Sequence, residues 1–468
     1  MLIPLPWITG LSGYPAVFWD DGYAIPRSLG AIPRAFTRPW GSETDCEDCR
    51  RRAERYWRPL ATVSLAVDHA VYGEWAPGYR LSSLVIHTAS GVLLLLLFLR
   101  IGVSLPLASG ATLFFAWHPI HSETLASAAY RTTLLEGLFA LAATRVLLGR
   151  PPEGSDGPSG PRPGALRPGE IAWGLLLFLG ALLSKDSAIT LSAAIPLMVI
   201  GVRRLAWRQA LLLSGVFLIL GAGFWGLRSL VVLPVRDAVL GYLTLPERLL
   251  LMLKVPPLYA QLLAWPAVLN PHWDISLFFP PPVDLRTFAG LGILAADVAL
   301  LAIGAVRRTV WVLPLAACNA VAVTFSGLVP LQVIAAERFL YLVFALGLLT
   351  AAIAWTVRHR RPGTGAGRGW LARAAMACAL AMLLALAGRS AVRMRDWRTY
   401  HALAAARVRD FPGSFDARFS MAKTLAGEGR IEEAKAELRA AMAIYPDFPL
   451  ATDLLRRLEA RTGPGTPD

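Results

Sequence analysis

The chain has 468 residues, 55% of them hydrophobic and only 17% charged, with a mean hydropathy of +0.50 and a formal net charge of +14. A soluble domain cannot keep that much apolar surface dry, so the composition excludes an ordinary water-soluble protein and indicates a polytopic membrane protein. The basic residues fall in short clusters between apolar segments and form no single patch. They therefore mark topology and exclude a nucleic-acid-binding surface.

The first apolar segment, Met1 to Phe18, contains Pro4, Pro6, Gly10, Gly13 and Pro15 and runs into Trp19-Asp20-Asp21 without a small-residue cleavage site. It reads as a short first helix and not as a cleavable signal. Further apolar segments lie at 80–99, 105–117, 125–148, 170–184, 187–202, 209–228, 287–306, 309–329, 338–357 and 370–388. The expected fold is all-α, a membrane helical bundle of about 11 spans occupying 1–390. The stretch 246–268 holds Pro256, Pro257 and Pro266 and is expected to be a broken, interfacial or re-entrant element. Of the four cysteines, Cys318 and Cys378 sit in apolar segments, while Cys46 and Cys49 form one Cys-x-x-Cys. That pair is too few for a four-ligand zinc site, and a local disulfide or two free thiols remain open.

Orientation follows from Lys and Arg in short loops. Arg145 and Arg150, which lead into the Pro/Gly-rich linker 151–169, fall on one face with Arg203, Arg204, Arg208, Arg307, Arg308, Arg358, Arg360, Arg361, Arg368 and Arg373 if the N-terminus is cytoplasmic. The loops 19–79, 118–124, 185–186, 229–286 and 330–337 and the C-terminal tail then lie on the outer face. The loop 19–79 carries Arg50, Arg51, Arg52, Arg55 and Arg58, but long loops cross regardless of charge.

From about 391 the chain becomes charged and amphipathic. Phe411-Pro412 and Tyr445-Pro446 close two helical segments 34 residues apart, with Gly427 and Gly429-Arg430 between them. That period fits tetratricopeptide-like repeats over 391–461, followed by a disordered tail over 462–468. An ordinary helical hairpin is the plainer alternative.

Nearly every outer loop carries a polar cluster: Asp20 and Asp21; Trp57-Arg58-Pro59-Leu60; His118, His121 and Glu123; Lys185 and Asp186; Glu337 and Arg338. His87 lies within the second span and Arg131 two turns into the fourth. Any one of these alone is a solvated helix end, but five clusters on one face, with His87 and Arg131 beside them, are functional candidates. Carboxylates serve as general bases, and Arg58, Arg131, Lys185 and Arg338 can hold a phosphate. This combination suits transfer of a group from a lipid phosphate to a hydroxyl. A metal at His118, His121 and Glu123 is disfavoured, because Pro119 interrupts the pair and the loop holds no further His. No metal or other cofactor is expected.

The order Phe18-Trp19-Asp20-Asp21, Trp57-Arg58-Pro59-Leu60, His118-Pro119-x-His121-x-Glu123, Arg131, Ser184-Lys185-Asp186 and Glu337-Arg338-Phe339-Leu340-Tyr341, followed by the repeat-like tail, resembles the transmembrane and tetratricopeptide repeat-containing O-mannosyltransferases and their bacterial relatives, within the GT-C superfamily. The resemblance implies inverting transfer of mannose or another hexose from a polyprenyl-phosphate carrier to a protein Ser or Thr at the outer face of a bacterial cytoplasmic membrane. Asp20 or Asp21 would be the base. Arg58, His87, His118, His121, Glu123, Arg131, Lys185, Asp186, Glu337 and Arg338 would bind donor phosphate and substrate, and the tail would hold the acceptor polypeptide. The chain departs from the family pattern in places. The acid expected just after Arg131 is missing from Tyr130-Arg131-Thr132-Thr133, and residues near Arg80 and Ser83 replace a His and an Asn expected before His87. Two other readings compete with this one. A flippase for a lipid-linked substrate would need charges at mid-depth, and a non-catalytic membrane-anchored scaffold leaves the clusters unexplained.

Overall fold

A computed structural model describes residues 4, 7, 24–42, 56–149, 166–232, 243–273, 283–309, 311–326, 328, 333–359, 369–446 and 448–461. Asp20 and Asp21, the Cys46/Cys49 pair, Arg50 to Arg55, the linker over 151–165 and the 462–468 tail lie outside the described residues. Within the described residues the chain is helical throughout, and the sole strand-like feature is an isolated antiparallel bridge between Trp273 and Ala335.

In chain order the α-helices are α1 (Ala31–Ala35), α2 (Pro59–Tyr72), α3 (Ala76–Arg100), α4 (Leu105–Ala116), α5 (Ser122–Ala126), α6 (Arg131–Leu147), α7 (Pro168–Leu182), α8 (Leu191–Arg203), α9 (Trp207–Val231), α10 (Leu245–Met252), α11 (Val255–Ala264), α12 (Leu285–Val306), α13 (Val312–Ala322), α14 (Leu340–His359), α15 (Gly369–Asp396), α16 (Tyr400–Asp410), α17 (Phe415–Gly427), α18 (Ile431–Ile444) and α19 (Pro449–Arg461). Among the described residues, each expected apolar segment after the first forms helix over most of its length. Among the described residues, six stretches are long and apolar enough to cross a membrane by length and composition: Ala76–Arg100, Asp186–Arg203, Trp207–Val231, Leu285–Val306, Glu337–Thr356 and Arg373–Asp396. Helices α4, α7 and α13 are apolar but shorter. Leu285, Phe288, Leu294, Val298 and Val306 of α12 and Leu211, Leu218, Ile219 and Leu230 of α9 are exposed. Such a display is unfavourable in water and natural against lipid.

The expected single span 125–148 is broken. Helix α5 ends at Ala126, Ser127 is extended, and Ala128–Tyr130 makes one tight turn before α6 begins at Arg131. The break buries Ala128 and Ala129 against Trp40, Leu65 and Tyr79, and the freed carbonyl of Ala126 accepts from Arg80 Nε at 3.2 Å. The stretch 246–268 splits into α10 and α11, with Pro256 and Pro257 in the first turn of α11, where proline is tolerated. At 8 and 10 residues neither helix reaches beyond ~15 Å, about half a hydrocarbon core.

The main core lies among α3, α4, α6, α7, α8, α9 and α14, with Leu94, Phe98, Phe115, Leu134, Phe178, Leu182, Ile195, Phe217 and Leu349 buried within it. In the tail, α16 to α19 pack each on the next; α17 to α19 enclose a second core of Phe419, Ala422, Leu425, Ala434, Leu438 and Leu458, while Tyr400 and Leu403 of α16 pack against the main core. Gly429 closes α17 at φ +78°, and the following Arg430 N–H reaches back to Leu425 O at 2.9 Å.

Candidate functional site

The two ends of the bundle differ in chemistry. At one end, Arg100 Nε donates to Leu148 O (3.1 Å) and Gly149 O (2.8 Å), and Arg203 Nη1 donates to Leu147 O (2.8 Å) while pairing with Glu170. This end gathers the C-termini of α3, α6 and α8 and the start of α7, and the basic side chains meet carbonyls at the negative end of the α6 dipole. At the other end lie those polar clusters singled out in the sequence that fall within the described residues, from Arg58, His118, His121 and Glu123 to Lys185, Asp186, Glu337 and Arg338.

That second end holds two separate assemblies. The first is a set of braces. Arg131 is fully buried, pairs with Asp68 of α2 at 2.6 Å, and donates to Ser64 Oγ (3.0 Å), Ser83 Oγ (3.1 Å) and Tyr79 O (2.6 Å). Asp68 supplies across space the acid missing beside Arg131 in the sequence, and Ser83, standing where the family pattern differs, is one of its acceptors. The sequence placed Arg131 on a donor phosphate, whereas the structure shows it tying α2, α3 and α6 together. His87 is likewise buried within α3. Its Nε2 can only donate to Ala116 O (3.1 Å), so its Nδ1 accepts from Tyr341 Oη (3.0 Å). His118 Nδ1 accepts the Ile120 N–H (3.3 Å) and its Nε2 donates to Leu263 O (3.2 Å). Burial pushes the His118 imidazole down to about 4 and the His121 imidazole well below the usual histidine range. His121 packs edge-on against Tyr341 and at a tilt against Phe115. All three rings are pinned in an aromatic layer, and among the described residues no group of three His, Cys, Asp or Glu is arranged to hold a metal.

The second assembly is a cluster of cations and carboxylates. Asp186 accepts from Arg228 Nε at 2.7 Å, and Arg58 Nε lies 3.9 Å from its other oxygen. The side chains of Arg58, Asp186 and Arg228 are 13–16% exposed. The Arg58 guanidinium sits over Tyr56 (4.2 Å) and Trp40 (4.7 Å), which fix its plane. Lys185 pairs with Glu136 (3.1 Å), which also accepts from Ser187 Oγ (2.6 Å). The Lys185 ammonium faces the Phe325 ring (5.7 Å), Phe325 stacks on Phe339 (4.1 Å), and Arg338 lies over Phe339 (5.2 Å) and Tyr130 (4.5 Å). Burial pulls the Lys185 pKa below its ordinary value; Glu136 draws it back, and Arg58 and Arg338 add repulsion. Glu123 is fully buried and accepts from both the Arg338 guanidinium and the Arg338 backbone N–H (2.8 Å). Burial raises the Glu123 carboxyl, and Arg338 offsets part of that rise. Glu337 is buried beside this pair.

Four cations, Arg58, Lys185, Arg228 and Arg338, thus converge from distant parts of the chain against Glu123, Glu136 and Asp186. The sequence brought forward three of the four. Arg228 was hidden as the last residue of an apolar segment, and Glu136 as the lone acid inside one, a signal that marks functional or bracing groups in membrane spans. Asp68 carried no local signal.

No protein-family model matches the chain. The chain is similar to a protein O-mannosyl-transferase of Caenorhabditis elegans, 26% identical over 152 residues that make up 30% of this chain and 21% of that relative. The matched region therefore spans about a fifth of the curated relative's length. Among solved structures, ArnT from Cupriavidus metallidurans bound to undecaprenyl phosphate aligns over 99% of this chain and 76% of that one, with 14% sequence identity and a TM-score of 0.38.

Proposed function

We propose that the chain is a membrane glycosyltransferase that moves a hexose, mannose in the first instance, from a polyprenyl-phosphate carrier to a Ser or Thr hydroxyl of an acceptor polypeptide. The observation that carries this reading is the convergence of Arg58, Lys185, Arg228 and Arg338 at one end of an apolar bundle. A phosphate monoester or diester is an anion that such a cluster of cations can hold, and planar guanidiniums suit its oxygens best. The sequence resemblance supplies the sugar and acceptor classes, and the similarity to an O-mannosyl-transferase points the same way.

In this reaction the acceptor oxygen attacks the anomeric carbon and gives its proton to Asp20 or Asp21. The bond from that carbon to the phosphate oxygen breaks, and the phosphate keeps the electron pair. Arg58, Lys185, Arg228 and Arg338 receive the charge that develops on the leaving group. No covalent intermediate is needed, so the sugar inverts. The opposite end, with Arg100, Arg145 and Arg203, is the cytoplasmic one by the positive-inside rule, which sets the transfer at the outer face. The helices α16–α19 act as tetratricopeptide-like repeats that hold the acceptor. A transporter would need its charges at mid-depth, and this constellation sits at a helix end.

The test uses the full chain purified in detergent, a polyprenyl-phosphate mannose donor and Ser/Thr-rich peptides. The expected result is transfer by the wild type and a loss of about 10²–10⁴-fold in Asp20→Asn or Asp21→Asn, the usual scale of general-base catalysis. Full activity in both single variants overturns the base assignment, and no transfer by wild type to any peptide overturns the acceptor class.

A further inference from the structure

The segment Asn270–Trp273 lies between the tail and the candidate phosphate site and is bonded to both. On the tail side, Arg407 of α16 is almost fully buried. Its Nε donates to Asn270 Oδ1 (2.9 Å), its Nη2 to His272 O (3.4 Å) and Asp416 Oδ2 (2.5 Å), and its Nη1 to Ser420 Oγ (3.1 Å). His272 Nδ1 donates to the same Asp416 oxygen (2.9 Å), and the Trp273 ring meets Phe411 edge-on at 4.9 Å. On the site side, Trp273 N donates to Ala335 O (3.1 Å), and Pro271 O accepts from Arg338 Nη1 (3.3 Å). One short backbone stretch therefore holds the guanidinium that pairs with Glu123, and one arginine of the tail holds that stretch.

We propose that Arg407 is a positioning residue: through Asn270–Trp273 it fixes Arg338 in the phosphate site, so that the state of the tail sets how well the site grips an anionic donor. This rests on the reading of Arg338 as a phosphate ligand, but the mechanical link stands on its own bonds. Arg407 satisfies four acceptors on two segments, Asn270–Trp273 and α17, with one rigid fork, which lysine cannot reproduce. Trp273 and Pro271 pair with both ends of the 335–338 stretch, so a shift of the segment moves the backbone and the side chain of that stretch together. A tail loaded with polypeptide or stripped away would act on the site by the same route.

Hydrogen–deuterium exchange on the full chain in detergent tests the link without any assumption about activity. In Arg407→Gln, amides over 333–342 are expected to exchange at least tenfold faster, while the core of α6 stays at wild-type rates. Asn270→Ala, which removes the acceptor from the other side, should give the same local pattern. Arg418→Gln breaks a tail ion pair with Glu437 that lies off this route, and should leave 333–342 unchanged. Wild-type exchange over 333–342 in both Arg407→Gln and Asn270→Ala overturns the link, and so does acceleration spread evenly through the bundle. Binding of a short-chain polyprenyl phosphate is then measured on the same samples. About tenfold weaker binding in Arg407→Gln supports the proposal, and equal binding in wild type and variant overturns the control of the site. Failure of wild type to bind the phosphate sinks the proposed function, while the exchange data still decide the link.

Discussion

Arg131 shows how one residue can be conspicuous in sequence and yet act differently from its apparent chemistry. It is a cation 63 positions from its partner Asp68, with no exposed surface and three further acceptors. Removing one member of such a pair leaves an uncompensated buried charge, which costs about 3–5 kcal/mol, whereas removing both leaves a smaller defect. Arg131→Ala and Asp68→Ala are each expected to lower the thermal unfolding midpoint sharply in detergent, with the double variant recovering part of the loss. An Arg131→Ala chain of wild-type stability that binds donor poorly would return this residue to the phosphate site. The sequence made Arg131 legible as important because ionisable residues in apolar segments are rare. It could not show the role, because Asp68 sits in a long loop region where a carboxylate is unremarkable. The same limit hid Arg228, whose partner Asp186 was visible but whose own position read as a helix end. Asp20 and Asp21, the most conspicuous acids in the sequence, lie outside the described residues and keep their role as a proposal.

Among elements, the close approach of α6 to α14 sets the aromatic layer behind the site. Gly137 makes this possible, since a Cβ there would stand 2.5 Å from Tyr341 Cε1 and 2.8 Å from its Cδ1. Tyr341 in turn hydrogen-bonds His87 and packs on His121. Gly137→Ala gains up to about 1 kcal/mol of helix propensity, but overpacking a filled core costs about 1–3 kcal/mol. Overpacking should win, so the variant is expected to unfold at lower temperature, and Gly137→Ala with Tyr341→Leu to recover. A more stable single variant would mean that the ring has room to move. The positions of the apolar helices were legible because hydrophobic runs of this length have few other uses. The break at Ser127 was not, since Ala, Ser and Thr there suit an apolar helix as well as a turn. Its cause is tertiary: Arg80 takes the freed Ala126 carbonyl, and Ala128–Ala129 fill a pocket beside Trp40.

For the whole molecule, the bundle and the tail are expected to respond to acid in separate pH windows. Burial keeps His118 and His121 neutral in the folded chain, at about 4 for His118 and well below the usual value for His121, while the unfolded chain takes up protons near 6.5. A depressed folded pKa means stability present above the unfolded value and lost as pH falls, so the bundle weakens progressively from about pH 6.5 toward pH 4, by about 3 kcal/mol for His118 alone. The tail follows a different group. Burial alone would raise the Asp416 carboxyl, but His272 and Arg407 outweigh it and hold it well below the usual carboxylate range. Its contribution is therefore complete above about pH 4 and disappears only in stronger acid. Thermal unfolding of the full chain between pH 7 and pH 4.5 should show a falling midpoint whose slope His118→Asn reduces, His121 supplying the rest, and Asp416→Asn leaves unchanged. Limited proteolysis at the 391–400 junction at pH 7 should instead find Asp416→Asn cleaved faster than wild type, because the neutral amide loses the charge that clamps His272 and Arg407. A midpoint independent of pH across that range would mean that the histidines are hydrated rather than sealed in the aromatic layer, and wild-type cleavage of Asp416→Asn would mean that the tail is held by Trp273 and Phe411 packing alone.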